Sequence, residues 1–300
     1  MGDFMNSSLT ALFCLYAKAY HQRSSLVKIY EDIFSEKLIN QEEYETISNN
    51  LKNNIDFFNN NYKGINPLEW IVYHQIAPSI LARSAFCQQH LKNELNLGLK
   101  QYVILASGYD TSGINLDKKI KVFEIDKKSV IEDKLKRIKQ SKINVDNIRF
   151  INSDLNTAWI NDLINSGYNQ HEKSLFSLLG ITYYLEKEKF LKLLQTISEN
   201  TTDGSSIVFD YPNKIITEKE LKNKKLAESA NEQMVSNYSY NEIEQLAEKS
   251  GFLIYEHLIS KDIDNMYFKK FNQSSKETHI IAPKGVSYCL LVKRNKNERS

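Results

Sequence analysis

The sequence is poor in the residues that mark collagen-like, low-complexity and disulfide-rich proteins. Its 300 residues include only 10 glycines, 4 prolines and 3 cysteines. So little glycine and proline excludes a collagen-like or disordered chain as a global description. Cys14, Cys87 and Cys289 are odd in number, far apart and set among apolar residues. This pattern predicts reduced thiols in the core rather than a disulfide framework.

The sequence also lacks a strong charge of either sign and a long apolar run. Its 39 lysines and arginines against 37 aspartates and glutamates give a formal net charge of +2. Such a balance creates no general attraction to nucleic acid or to an anionic membrane. No stretch approaches the roughly 18 to 20 apolar residues that span a bilayer, and the first residues do not resemble a secretory signal. We therefore expect a cytoplasmic protein without nucleic-acid or membrane partners, and the sequence leaves its oligomeric state open.

The first hundred residues carry a helical pattern and little strand signal. Apolar residues recur three and four positions apart between residues 9 and 16 and again between 26 and 34. A polar helix is predicted over 41–62. A further helix is predicted from about Pro78 to Leu97, where Gly98 ends it. We expect residues 1–98 to form a helical N-terminal cap.

From residue 101 the pattern changes to short apolar runs that alternate with helical segments. Such runs are typical of strands buried on both faces of a parallel sheet. The predicted strands cover residues 102–106, 121–125, 148–151, 175–178, 206–209, 252–257 and 288–292. Because no clear helix lies between the last two, we expect them to pair antiparallel. The prediction is an α/β fold over 99–300, with a mostly parallel sheet, an antiparallel final pair and a helical insertion at about 213–240.

Small or acidic residues follow the first three predicted strands, at the edge where open α/β sheets bind their ligands. Gly108 follows the first strand, Asp126 the second and Asp154 the third. Asp126 lies 18 residues after Gly108, a spacing at which a carboxylate accepts hydrogen bonds from both hydroxyls of a ribose. Each residue also fits an ordinary turn or a helix N-cap. The sequence lacks G-x-G-x-x-G after the first strand, which disfavours a nicotinamide-dependent dehydrogenase.

Four motifs together resemble the leucine carboxyl methyltransferase-like family of class I S-adenosylmethionine-dependent methyltransferases, which includes bacterial polyketide O-methyltransferase relatives. Residues 101–111, Q-Y-V-I-L-A-S-G-Y-D-T, resemble the family's Q-V-V-x-L-G-A-G-L-D-T. Residues 122–126, V-F-E-I-D, resemble its V-x-E-x-D. Residues 154–159 resemble D-L-x-x-x-W, and residues 204–211 resemble G-S-x-x-x-F-D-Y. The resemblance implies a Rossmann-like, seven-stranded methyltransferase sheet and S-adenosylmethionine as the cofactor.

The resemblance also implies a set of cofactor contacts, residue by residue. Gly108 is implied to approach the methionine portion, and Asp126 to hold the ribose with Glu124 nearby. Asp154 and Leu155 are implied to frame the adenine. The basic residues matching those that face the cofactor carboxylate are Lys18 and Arg83, whose charges suit that role. The complete implied set is Lys18, Arg83, Gly108, Asp110, Glu124, Asp126, Asp154, Leu155 and Leu179.

One segment departs from the family pattern. After the fourth strand the family shows E-G-V-x-x-Y-L, whereas residues 179–185 are L-G-I-T-Y-Y-L. Leu179 cannot accept a hydrogen bond, so any cofactor contact made there by the family's glutamate is absent or replaced. His74, Tyr183 and Tyr184 are candidates for a catalytic role by residue type. The histidines show no metal-ligand spacing, so no metal site is predicted.

We expect an O-methyltransferase that acts on a hydroxyl or carboxylate of a small, polyketide-like acceptor. A carboxylate acceptor is already ionised, whereas a hydroxyl acceptor benefits from a general base. Two alternatives remain at this point. One is a protein C-terminal carboxyl methyltransferase, and the other is a catalytically degenerate nucleoside-binding or scaffold protein, which Leu179 suggests.

Overall fold

The computed structural model describes residues 8–229, 232–275 and 278–294. Its strands are β1 (Gln101–Leu105), β2 (Lys121–Asp126), β3 (Ile148–Asn152), β4 (Ser174–Leu178), β5 (Ser206–Pro212), β6 (Phe252–Leu258) and β7 (Val286–Lys293). They form one seven-stranded sheet in the order β3-β2-β1-β4-β5-β7-β6. Strands β1 to β5 are parallel, whereas β7 runs antiparallel between β5 and β6. The predicted sheet and its antiparallel final pair are confirmed.

The apolar runs of the sequence correspond to the centre of the sheet. Every residue of β1 and β4 is buried, as parallel strands with both faces covered require. Gln101 lies level with Lys121 of β2 on one side and with Ser174 of β4 on the other. The carboxyl ends of β1, β2 and β4 therefore meet at one edge of the sheet.

The N-terminal part of the chain is helical. Its helices are α1 (Leu9–Ser24), α2 (Ile33–Leu38), α3 (Gln41–Asn53), α4 (Ile55–Phe58), α5 (Pro67–Ile71) and α6 (Ala77–Asn96), with a π-helical turn at Val72–Ile76 before α6. A capping box begins α3, because the Asn40 side chain accepts from the Glu43 amide while Glu43 accepts from the Asn40 amide. Helix α6 packs on β4, β5 and β7 and so joins the helical layer to the sheet.

Two predicted helical stretches are interrupted. Residues 25–32 are not helical, although apolar residues recur through them. The Lys28 ammonium donates to the carbonyls of His21 and Gln22 at 3.1 and 2.6 Å, which satisfies the last turn of α1 and ends it. The helix predicted over 41–62 ends at Asn53, and only the single turn of α4 follows it.

The remaining helices lie between and after the strands. They are α7 (Lys128–Gln140), α8 (Trp159–Asn165), α9 (Lys187–Glu199), α10 (Glu218–Ser229), α11 (Tyr240–Lys249), α12 (Ser260–Ile263) and α13 (Lys269–Ser274), with a second π-helical turn at Asp264–Phe268. The prediction that no helix separates β6 from β7 was wrong, because α12, the π turn and α13 lie there. The π turn places buried Ile263 and Phe268 five positions apart, which hides the helical period.

The sheet separates two apolar cores, because alternate side chains of each strand point to opposite faces. On one face Val103 and Leu105 join Phe190 of α9. On the other face Tyr102 joins Phe86 of α6. Within the residues described, no helix is both long enough and apolar enough to cross a membrane.

Candidate active site

A cavity of about 720 Å³ opens at the carboxyl edge of the sheet, where open α/β folds bind their ligands. Its volume lies within the range of small-molecule sites. We call its two sides the strand wall and the helix wall. The strand wall is built from lining residues within 106–110, 126–127, 153–156 and 179–185, and the helix wall from lining residues within 8–18, 76–84 and 220–227.

Gly108 lies on the strand wall three residues after the end of β1, at a position that favours glycine. Its φ angle is +50°, in the left-handed region, and a Cβ atom there would lie 3.1 Å from the Cβ of Ala11 on α1. The missing side chain therefore lets the first helix approach the strand end. The Gly108 amide also donates to the Asp126 Oδ2 atom at 2.7 Å, which ties the ends of β1 and β2 together.

Asp126 lines the cavity at the end of β2 with its carboxylate fixed by the backbone. Its Oδ1 atom accepts from the Lys127 amide at 2.7 Å, and its Oδ2 atom accepts from Gly108. Burial raises the pKa of Asp126, while these two amide hydrogen bonds act in the opposite direction. Each carboxylate oxygen retains a further lone pair, so this group can accept from a diol.

Asp154 and Leu155 follow β3 and also line the cavity. The Asp154 Oδ1 atom accepts from the backbone amide and the side-chain amide of Asn156 at 2.9 and 2.8 Å. These hydrogen bonds lower the pKa of Asp154. The resulting turn places an ionised acid and an apolar side chain next to each other. This combination suits a nucleobase that carries an amino group.

Lys18 brings a positive charge from α1 into the cavity. Its ammonium lies 3.7 Å from Asp32 Oδ2 and 3.7 Å from Asp110 Oδ2, and the residue is only 5% exposed. Burial lowers the pKa of Lys18, but the neighbouring Asp110 and the other nearby acidic groups raise it by more. Thr111 holds Asp32 in place, since its hydroxyl donates to Asp32 Oδ2 at 2.6 Å. Lys18 is therefore ionised and oriented.

Arg83 brings a second positive charge from α6. Its Nη1 atom lies 3.2 Å from Asp210 Oδ2, and its Nη2 atom donates to Cys14 Sγ at 3.1 Å. Burial lowers the pKa of Arg83, but Asp210 raises it by more. Gly180 packs directly against the guanidinium, because a Cβ atom there would lie 2.6 Å from Nη1. The sequence-predicted Lys18 and Arg83 thus line the same cavity as Gly108, Asp126 and Asp154.

Glu124 is placed differently from the rest of the implied cofactor set. It is fully buried in β2, pairs with the fully buried Lys134 of α7 and does not line the cavity. Lys134 also donates to the Asp110 carbonyl at 2.5 Å. The pair therefore lies beneath the strand wall and supports the loop that carries Gly108 and Asp110.

The predicted catalytic candidates separate into two groups. Tyr183 and Tyr184 line the cavity, as does the apolar Leu179. His74 stacks on Trp70 with ring centroids 4.8 Å apart, and its Nδ1 atom donates to the Trp70 carbonyl at 3.0 Å. That side chain is not among the residues that line the cavity.

The structure adds three residues to the site that the sequence motifs do not identify. Asp32, which faces Lys18, is the N-cap of α2, and no sequence motif marks it as part of a site. Asp210 stood in a recognised strand motif but received no role. Cys14 was expected in the core, whereas the structure leaves it half-buried and lining the cavity, unlike the buried Cys87 and Cys289.

The donor set of the cavity fits S-adenosylmethionine. The strand wall offers a carboxylate for ribose hydroxyls and an acid for the adenine amino group, while Lys18 and Arg83 supply positive charge for a carboxylate. Gly108 lets α1 approach the end of β1, since a Cβ atom there would lie 3.1 Å from the Ala11 Cβ atom. A sheet in this order, with an antiparallel β7 and this cavity at the end of β1, defines the class of S-adenosylmethionine-dependent methyltransferases.

Comparison with known proteins identifies the family. The leucine carboxyl methyltransferase family model matches residues 11–198, and the chain belongs to this family. The chain is 37% identical over 293 residues to a Bacillus subtilis (strain 168) protein named "Putative S-adenosyl-L-methionine-dependent methyltransferase YktD". That match covers 91% of this chain and 95% of the relative. The protein is thus an S-adenosylmethionine-dependent methyltransferase, and S-adenosylmethionine is its cofactor.

Two further similarities are more distant. A Saccharopolyspora erythraea protein with the same methyltransferase description is 27% identical over 142 residues, which cover 46% of this chain and 50% of the relative. A crystal structure of a DUF574 family protein from Streptomyces avermitilis superimposes with a TM-score of 0.60 at 12% identity, covering 97% of this chain and 99% of the other. At that identity the second similarity establishes the fold alone.

Proposed function

We propose that the protein transfers a methyl group to an oxygen of a small, largely apolar acceptor that binds against the helix wall. One observation carries this proposal: the segment after α10 is hydrogen-bonded both to the start of α1 and to the strand wall, where the Val235 amide donates to the Tyr183 carbonyl at 2.9 Å. Ser8, at the start of α1, donates to the Glu232 Oε1 atom at 2.8 Å, and Thr10 donates to its other oxygen. These bonds connect α1 to the segment after α10. A cavity bridged in this way favours a small molecule over a protein tail.

The composition of the helix wall supports an apolar acceptor. Phe13, Ile76, Ile80 and Leu226 line the cavity from α1, the π turn, α6 and α10. Burying an apolar ligand against such side chains stabilises the complex by about 25 cal/mol for each Å² of apolar surface removed from water. Asn223, which also lines this wall, adds a polar amide group that can fix the orientation of the acceptor.

The strand wall would hold the cofactor, which supplies an activated methyl group on a sulfonium sulfur for displacement by the acceptor oxygen. Asp126 accepts hydrogen bonds from the ribose hydroxyls in this proposal. Lys18 and Arg83 bind the cofactor carboxylate, and Asp154 accepts from the adenine amino group. Alignment and exclusion of water are then the main tasks of the protein.

Of the two tyrosines of the cavity, Tyr184 would position the acceptor by donating a hydrogen bond, whereas the Tyr183 hydroxyl donates to Asp210 Oδ2 and can only accept one. Burial raises the pKa values of Tyr183 and Tyr184, and the nearby acids Asp210 and Glu232 raise them further. Both phenols therefore stay protonated at neutral pH. A carboxylate acceptor needs no base, and for a hydroxyl acceptor the cavity offers the Glu232 carboxylate.

Calorimetric titration with S-adenosylmethionine and S-adenosylhomocysteine, with NAD as the control ligand, tests the proposed cofactor contacts. Both sulfur compounds should bind and NAD should not. Asp126→Ala should weaken their binding by roughly 1–3 kcal/mol, because ribose hydroxyls lose their buried acceptor. Asp146→Ala is the matched control, since Asp146 is exposed and lies before β3 at the opposite edge of the sheet. Unchanged affinity of the Asp126 variant would show that the ribose binds elsewhere.

A methyl-transfer screen tests which class of acceptor receives the methyl group. S-adenosylmethionine with a labelled methyl group is incubated with apolar phenols, apolar carboxylic acids and peptides that end in leucine. We expect label in one of the small-molecule classes and none in the peptides. Transfer to the peptide carboxyl terminus would replace the proposal with protein carboxyl methylation.

A further inference from the structure

Asp210, near the end of β5, accepts hydrogen bonds from three donors in two separate parts of the site. The Gly180 amide donates to its Oδ1 atom at 2.6 Å, while Arg83 Nη1 and the Tyr183 hydroxyl donate to its Oδ2 atom at 3.2 and 3.0 Å. These donors come from α6 and from the segment after β4. The Asp210 side chain is completely buried, and Asp210 does not line the cavity.

The main chain of Asp210 also binds the segment after β4. Its carbonyl accepts from the Thr182 hydroxyl at 2.6 Å. Residues 180, 182 and 183 are therefore attached to one residue of β5, and each of these attachments is a hydrogen bond to a buried atom. The segment that follows β4 cannot move without breaking them.

The charges explain why an acid is needed at this position. Arg83 lies with its side chain only 13% exposed, and a buried cation without a partner is strongly destabilising. Among the residues described, Asp210 is the acid whose oxygen lies within 4 Å of the Arg83 guanidinium. Within the described part of the chain, the hydrogen-bond partner of Arg83 Nη2 is the Cys14 thiol alone, so this edge is available to an anion in the cavity.

We propose that Asp210 is a positioning residue that aims Arg83 at the carboxylate of the cofactor and, through the same oxygen, sets the position of Tyr183 in the acceptor half of the cavity. The inference rests on the proposed role of Arg83. Asp210 touches neither ligand and acts through the groups that do. Among cofactor analogues, its effect on binding is therefore confined to those that carry the carboxylate.

Two ligands separate positioning from a general structural role. S-adenosylhomocysteine carries the amino-acid portion with its carboxylate, whereas 5′-methylthioadenosine shares the adenosine and the thioether but lacks that portion. Asp210→Asn preserves the shape of the side chain and removes its charge. This variant should bind S-adenosylhomocysteine roughly ten- to a hundredfold more weakly, as expected when a charged hydrogen-bonded contact is lost, and should bind 5′-methylthioadenosine with unchanged affinity.

A double-mutant cycle identifies Arg83 as the intermediary. Arg83→Met should produce the same selective loss, and adding Asp210→Asn to it should weaken S-adenosylhomocysteine binding no more than about twofold further. Asp146→Asn, at the opposite edge of the sheet, should change neither affinity. If Asp210→Asn does not fold, Asp210→Glu carries the test, because it keeps the charge and displaces the carboxylate by one methylene group.

Each contrary result points to a different error. Equal losses for both ligands, or additive losses in the cycle, would overturn the positioning role of Asp210. A selective loss in Arg83→Met without any loss in the Asp210 variants would also overturn it while leaving the proposed function intact. If Arg83→Met itself has no effect on S-adenosylhomocysteine binding, the proposed role of Arg83 fails, and the inference fails with it.

Discussion

The two walls of the cavity are built in different ways. On the strand wall, Asp126 ends β2, while Gly108 and Asp154 lie three and two residues after the ends of β1 and β3, so strand register fixes their spacing. The helix wall takes its residues from α1, α6 and α10, which are far apart in the sequence. The ends of the strands can therefore hold the cofactor together with Lys18 and Arg83, while the other side chains of the helix wall can change with the acceptor.

Two lysines allow the comparison to be tested, because each is buried against acids but only one faces the cavity. Lys134 pairs with Glu124 beneath the strand wall, and both side chains are fully buried. Lys134→Met leaves a buried carboxylate without its partner and should lower the free energy of unfolding by about 3–5 kcal/mol. Denaturant unfolding measures this change. It is the largest effect that we expect.

Lys18→Met is the matched variant on the helix wall. Lys18 lies 3.7 Å from Asp32 and Asp110, and the Asp110 side chain is 14% exposed. Because solvent and hydroxyl groups can stabilise these acids, the variant should lose only about 1–2 kcal/mol of stability while binding S-adenosylhomocysteine more weakly. The double variant Lys134→Met with Glu124→Leu should recover most of the lost stability. Equal stability losses for the two lysine variants would contradict the distinction between the walls.

Gly180 provides a test of how closely the strand wall fits a residue of the helix wall. Its φ angle is +74°, and a Cβ atom would lie 2.6–2.9 Å from atoms of the Arg83 guanidinium. Gly180→Ala should displace Arg83 and weaken S-adenosylhomocysteine binding by roughly 1–3 kcal/mol, the cost of such local strain. Titration calorimetry measures the change.

Gly98→Ala is the control for the backbone alone. Gly98 has a similar φ angle of +86°, but no atom lies within 4 Å of the position a Cβ would take. This variant should lose about 1 kcal/mol of stability from its left-handed backbone and retain full affinity for the ligand. A comparable loss of affinity in both variants would mean that contact with Arg83 is not the cause.

The strand wall was largely predictable because its signals are local. Gly108 and Asp126 come at the ends of buried apolar runs, which places them at the carboxyl ends of strands. Parallel pairing then brings these ends together at the edge where ligands bind. Glu124 shows the limit of this reasoning. It lies two residues before Asp126 in β2, where burial against Lys134, and not sequence proximity, decides what it contacts.

The helix wall was less predictable because its contacts are tertiary. Lys18 and Arg83 were assigned only through the family resemblance, and their partners Asp32 and Asp210 were not assigned at all. Nothing local to residue 32 or residue 210 reveals that a cation from another helix packs there. The π turns at Val72–Ile76 and Asp264–Phe268 further shift the apolar spacing on which helix prediction depends.

Cys14 provides a test of the helix wall alone. It is half-buried and lines the cavity, whereas Cys87 and Cys289 are buried and burial raises their pKa values, that of Cys87 to about 12. Iodoacetamide should therefore label the native protein at Cys14, and Cys14→Ser should remain unlabelled. S-adenosylhomocysteine at ten times its dissociation constant should slow the labelling about elevenfold, because only the free protein reacts. An unchanged rate at saturating ligand would place Cys14, and with it this part of α1, outside the ligand chamber.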